Sequence, residues 1–161
     1  MSTAKSWTFG NAPAEEIARL TGRGLLEAII SGRLPQPPIC ETLGFALVEV
    51  GEGTAAFEGE PSARLLNPLG AVHGGWLLTL VDSAGGCAAH STIPPGVGFG
   101  TIETKANFSR PIRPDSGLVR AEGRVVGRGR QIISTDVRVT DAAGRLLGHG
   151  TSTLMVLAPR A

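Results

Sequence analysis

The sequence predicts an α+β fold in which one strongly curved, mostly antiparallel sheet wraps around a single long helix. Three observations predict it. Residues 76–91 (WLLTLVDSAGGCAAHS) are apolar on nearly every side, which marks a helix enclosed by other elements. Residues 99–157 divide into four alternating stretches joined by short turns, the pattern of an antiparallel meander. Residues 43–60 add two more such stretches about Gly51-Glu52-Gly53, a hairpin. A helix with no polar face and a sheet with one apolar face satisfy each other when the sheet closes over the helix.

Taken in order, residues 13–33 read as helical. Ala14, Ile17, Ala18, Leu20, then Leu25, Leu26, Ile29 and Ile30 recur at i, i+3, i+4 spacing. Gly22 and Gly24 divide them into two short helices. Pro35, Pro37 and Pro38 end that region and begin an extended connection. Residues 1–40 are therefore expected to form an N-terminal helical extension, and residues 41–161 the main domain. Residues 62–75 (SARLLNPLGAVHGG) form a loop into the long helix. Residues 99–109 are a strand ended by Pro111 and Pro114. In 117–127, Val119, Ala121, Gly123 and Val125 share one face and Arg120, Glu122 and Arg124 the other. In 131–140, Ile133, Thr135, Val137 and Val139 oppose Ser134, Asp136 and Arg138. Asp141 to Gly144 turn the chain into a last strand, 145–157.

Bulk properties exclude several classes of function. The 15 basic and 14 acidic residues leave a net charge of +1, so the chain presents no field for DNA, RNA or an anionic membrane. No run of ~18 apolar residues is present, so no transmembrane helix is expected. The first sixteen residues lack the apolar run of a signal peptide, and a cytoplasmic location is the default. Cys40 and Cys87 have no metal-type spacing and read as reduced, buried thiols. His90 and His149 have no metal-spaced partners, and neither metal nor cofactor is expected.

One polar residue stands out. Asp82 interrupts Leu77-Leu-Thr-Leu-Val, and a carboxylate there must be paired, hydrogen-bonded or facing a pocket. Eight residues earlier, Gly74 falls at the helix start, where backbone N–H groups are free and carry partial positive charge. These positions lie in a recognisable pattern. Asn67-Pro-Leu-Gly-Ala-Val-His73-Gly74-Gly75, followed by Thr79-Leu-Val-Asp82, resembles the signature of hotdog-fold thioesterases, nearest to the phenylacetate-pathway (PaaI-like) type. Gly100 to Pro111 and Gly144 to Thr151 resemble that family's strand after the helix and its last strand. The resemblance spans about residues 43 to 157 and leaves the first forty outside.

The resemblance implies an acyl-CoA thioesterase, releasing free acid and CoA from an aryl- or fatty acyl-CoA. It assigns Gly74 N–H as the oxyanion donor, Asp82 as general base or nucleophile, and His73 as shaper of the helix start. It also implies that Asn67 holds the attacking water or the thioester, against an ordinary Asx turn before Pro68. Thr101 matches a hydroxyl position near the carboxylate, against an ordinary strand threonine. The CoA phosphates need cations. Arg110, Arg113, Arg128 and Arg130 gather at strand ends and at the Gly127–Arg130 turn, against simple solvated charge.

Geometry adds one constraint. Gly74 and Asp82, eight residues apart on one helix, stand ~12 Å apart along its axis. One carbonyl cannot touch both, so the sequence predicts an obligate homodimer with two shared sites, in line with the resemblance. Assembly of such dimers to a homotetramer is a separate expectation that this spacing does not supply. Two other functions compete. A hotdog enoyl-CoA hydratase or dehydratase would use an Asp-x4-His or a His–Glu pair to shuttle protons on the acyl chain, but position 87, five after Asp82, is Cys and no His follows until His90. A non-catalytic acyl-CoA or lipid-binding module is expected to lose the carboxylate or to carry a DNA-binding domain; Asp82 is present and residues 1–40 hold no such domain.

Overall fold

The computed structural model describes residues 7–157, so the outer ends of the two expected units lie outside the described residues. In chain order it contains α1 (Ala14–Arg19), α2 (Gly22–Ile30), α3 (Pro38–Leu43), β1 (Phe45–Gly51), β2 (Thr54–Gly59), a 3-10 turn (Ala63–Leu65), α4 (Gly74–His90), β3 (Phe99–Phe108), β4 (Val119–Arg128), β5 (Ile132–Asp141) and β6 (Leu146–Val156). The strands form one sheet in the order β1-β2-β4-β5-β6-β3, antiparallel at every pairing. It wraps around α4 in the expected hotdog arrangement. None of the described helices is long and apolar enough to cross a membrane.

α4 runs through Gly85 and Gly86 without a break. Each costs about 1 kcal/mol relative to Ala in a helix, and close packing against the sheet gives Gly85 its reason. A Cβ on Gly85 would stand 2.7 Å from Thr135 Oγ1, and one on Gly123 of β4 only 2.3 Å from the carbonyl oxygen of Ala84. Helix and sheet backbones therefore touch where side chains are missing. Around that contact Leu80, Val81, Ala84, Ala88 and Ala89 are fully enclosed.

The N-terminal helices close the β1 side. The chain breaks at Leu20 and Thr21, just ahead of the expected glycines, because Thr21 caps α2 by accepting from Gly24 N at 3.0 Å. Leu25, Leu26, Ala28 and Ile29 join the same core as α4. The expected extended connection after Pro35 is wrong at Pro38–Leu43, which is helix α3. Proline breaks a helix interior but suits its first position, where no N–H is needed; Gly44, at φ +70°, ends the helix.

Gln36 is fully buried and acts as a substitute strand. Its Nε2 donates to Leu47 O at 2.9 Å and its Oε1 accepts from Leu47 N at 3.1 Å, which satisfies the outer edge of β1. Gln36→Ala strands both Leu47 groups and is expected to lower stability by about 2–4 kcal/mol. Urea titration should show a lower midpoint at unchanged m. The other edge, β3, has no such cover among the described residues and exposes Ile102 at 57% and Phe108 at 59%.

Candidate active site

The start of α4 is fixed from several sides. His73 is its N-cap, with Nδ1 accepting from Gly75 N at 2.9 Å and its own N–H donating to Leu65 O at 2.7 Å. An accepting Nδ1 places the neutral ring's proton on Nε2. Buried Trp76 anchors the first turn by donating from Nε1 to Leu43 O at 2.8 Å. Gly74 N–H has no partner among the described residues and opens on a cleft of about 280 Å³ lined by Ala71, Leu77, Phe108, Arg110 and Ile112. A Cβ at position 74 would lie 3.0 Å from the Phe108 ring, so glycine keeps both the donor and the ring in place. A second cleft of about 310 Å³ flanks the helix start on the side of Gly75, Trp76 and Thr79, with Arg64 at its wall.

Asp82 lies on the same helix but, contrary to the apolar run around it, is exposed in the single chain. Leu78, midway between Gly74 and Asp82, is 38% exposed. These residues form an uncovered strip beside the bare β3 edge. The apolar sequence misleads because the sheet covers only part of the helix.

The hydroxyl that meets the carboxylate is Thr104, which donates to Asp82 Oδ1 at 3.1 Å and lies 2.9 Å from Ser152 Oγ. The structure does not bring Thr101 to Asp82 in this way. Thr101 pairs with buried Leu154, so it lies on the helix side of the sheet. Strict alternation would then turn Thr104 outward. A β-bulge between Thr101 and Glu103 reverses the parity, so that Thr104 meets Asp82, Ala106 packs on the core and Phe108 meets Gly74. Nothing in the sequence marks that bulge.

Asn67 builds the loop that delivers His73. Its Oδ1 accepts from Leu69 N at 2.9 Å and Ala71 N at 3.1 Å, the Asx-turn alternative to an active-site role. Its amide N–H groups have no bond among the described residues. The four arginines do not form one cluster. Arg110, donating to Leu146 O at 2.7 Å, lies beside Gly74, and Arg113 follows it. Arg128 donates to Thr92 Oγ1 at 3.1 Å beyond the far end of α4, with Arg130 next to it. The pairs sit at opposite ends because β3 and β4 run in opposite directions.

Other candidates fall away. Burial pushes the thiols of Cys40 and Cys87 up to about 12, which leaves about one in 10⁴ ionised at pH 8. Neither should react with iodoacetamide at a rate near that of free cysteine until the protein is unfolded; mass spectrometry of the alkylated protein checks this. No group of His, Cys, Asp and Glu among the described residues could hold a metal. His90 packs on Phe99 with ring centroids 4.9 Å apart, and burial lowers its pKa. A cavity of about 1220 Å³ opens on the outer sheet face between α2 and Arg120, Arg124 and Arg138, and none of its walls belongs to α4.

A model of the thioesterase superfamily matches residues 69–147. The 1,4-dihydroxy-2-naphthoyl-CoA hydrolase of Listeria monocytogenes is 29% identical over 117 residues, 72% of this chain and 93% of that protein. The proofreading thioesterase EntH of Klebsiella pneumoniae is 32% identical over 103 residues, 64% of this chain and 74% of that protein. The solved structure of a mutant form of the phenylacetic acid degradation protein PaaI from Thermus thermophilus is 28% identical. It superposes with a TM-score of 0.68 over 74% of this chain and 99% of that one.

Proposed function

The chain belongs to the thioesterase superfamily and is a thioester hydrolase; we propose that it cleaves aryl- or fatty acyl-CoA at a site shared by two subunits. One observation carries the shared site. Among the described residues, the only free N–H at the helix start and the only carboxylate on α4 lie ~12 Å apart on one strip, with Leu78 halfway between them. β3 repeats the measure. Phe108 stands beside Gly74 and Thr104 beside Asp82, four strand residues or about 13 Å apart. A two-fold axis through the levels of Leu78 and Ala106 sets Gly74 of one subunit against Asp82 of the other. It also pairs two bare β3 edges and covers Ile102 and Phe108.

In the proposed reaction the thioester oxygen accepts from Gly74 N–H, where the helix dipole favours the developing negative charge. The His73 Nε2–H and the free amide N–H groups of Asn67 lie in the same loop. Asp82 of the partner subunit takes a proton from water as it attacks, or attacks the carbon itself and is freed by water. Either route breaks the C–S bond and yields free acid and CoA thiol. Arg110 stands at the cleft for the CoA phosphates, and the two-fold axis carries Arg128 and Arg130 of the partner subunit to that end of the assembly. The walls supplied by Leu78, Ile102 and Phe108 suit the ring or chain of an aryl or fatty acyl group; the Listeria relative is named for an aryl one, 1,4-dihydroxy-2-naphthoyl-CoA.

The test is release of free thiol from a panel of aryl, short, medium and long acyl-CoAs. Turnover of at least one class, abolished in Asp82→Asn, is expected. Tight binding of acyl-CoA with no thiol release would identify a binding module instead.

A further inference from the structure

We infer that Thr104, backed by Ser152, is the positioning residue that holds Asp82 in its working orientation, an inference that rests on Asp82 being the catalytic carboxylate. An exposed aspartate on a helix surface rotates among its staggered states. Asp82 has one side-chain hydrogen bond among the described residues, from Thr104 Oγ1 to Oδ1 at 3.1 Å. That bond fixes one carboxylate oxygen and leaves Oδ2 for the chemistry.

The direction of the chain of hydroxyls follows from proton counting. An ionised carboxylate only accepts, so the single Thr104 proton goes to Asp82. The 2.9 Å contact with Ser152 must then be a donation from Ser152 Oγ to Thr104 Oγ1. Ser152 is 1% exposed and cannot swing away. Its neighbour in the row, Thr135, is equally buried and donates to Ser152 O at 3.3 Å. Thr135, Ser152 and Thr104 are directly paired across β5, β6 and β3. They form a row of hydroxyls that ends at Asp82, flanked on the same sheet face by buried Ile133, Val137 and Leu154.

Packing alone does not account for this row, because valine and alanine fill the same space without a polar atom to satisfy. Two local features serve it instead. The bulge after Thr101 turns Thr104 toward the helix. Gly85 leaves room for the serine, since a Cβ there would stand 3.2 Å from both Ser152 Cβ and Oγ.

Three variants of the full-length protein, assayed with the best acyl-CoA of the panel, test the inference. Thr104→Val keeps the shape and removes the donor; kcat should fall about tenfold to a hundredfold with KM within about twofold. Thr104→Ser restores the hydroxyl and should recover kcat to within about threefold of the wild type. Ser152→Ala leaves the Thr104 donor in place and should cost a smaller factor, about threefold to fivefold. A Thr104→Val enzyme with kcat within about twofold of wild type overturns the inference, as does a Thr104→Ser enzyme as impaired as the valine variant. Asp82→Asn is assayed beside them. If it remains active, the assignment of Asp82 itself fails, a result distinct from an inactive Asp82→Asn beside a fully active Thr104→Val.

Discussion

Replacing Asp82 by Asn should lower kcat for acyl-CoA hydrolysis by a factor between about 10² and 10⁴ while leaving the fold intact. The two parts of this expectation have separate causes. Asn has the same shape, and its carbonyl oxygen can still accept the Thr104 bond that Asp82 Oδ1 now holds at 3.1 Å. The side chain is exposed in the single chain, so no buried charge is left behind or created. What disappears is the negative charge that, in the proposed reaction, attacks the carbonyl or takes the proton of water. Thermal melting within ~1 °C of wild type, together with the kinetic loss, would separate a chemical role from a structural one.

The second large effect concerns stability. Gly123→Ala should destabilise the protein by about 3 kcal/mol or more, at the upper end of overpacking costs. The new Cβ would lie 2.3 Å from Ala84 O, 2.5 Å from Ala84 C and 3.0 Å from Gly85 N. All three are helix backbone atoms, so no side-chain rotation relieves the clash. α4 must lift from β4, and the packing of Val81, Ala84 and Ala88 loosens with it. A melting temperature lower by roughly 10 °C is the expected reading. A loss of activity that tracks unfolding, rather than preceding it, would show that this glycine serves the fold and not the chemistry.

Much of this was legible in the sequence. The long helix, the hairpin and the four-strand meander follow from periodicity, because each alternation has a sheet face to satisfy. The resemblance of one motif points to Asn67, His73, Gly74 and Asp82, and the structure places His73 and Gly74 at the start of the long helix and Asp82 about two turns into it. What the sequence concealed depends on geometry between elements. The run around Asp82 looks enclosed, yet one strip of α4 is open, since the sheet covers only the remaining faces. Thr104 was hidden by a single-residue bulge that reverses which side of β3 its residues take. Helix α3 was hidden because Pro38 signals both a break and a helix start. The four arginines looked alike at strand ends, and only strand direction divides them between the two ends of the molecule. The role of Gln36 as a side-chain strand has no local signature, because Leu47 lies eleven residues away.

In the proposed dimer, Gly74 and Asp82 of one chain serve different thioesters, which a mixture of Asp82→Asn and Gly74→Pro proteins tests. Proline is tolerated at the first helical position and lacks the N–H in question, while His73 already holds the extended backbone that a following proline requires (φ −60°, ψ 133°). Each variant alone should be inactive. A random mixture after subunit exchange should regain about a quarter of wild-type activity, because half of the dimers are mixed and each of those holds one intact site. No recovery in verified mixed dimers would contradict a site shared between subunits.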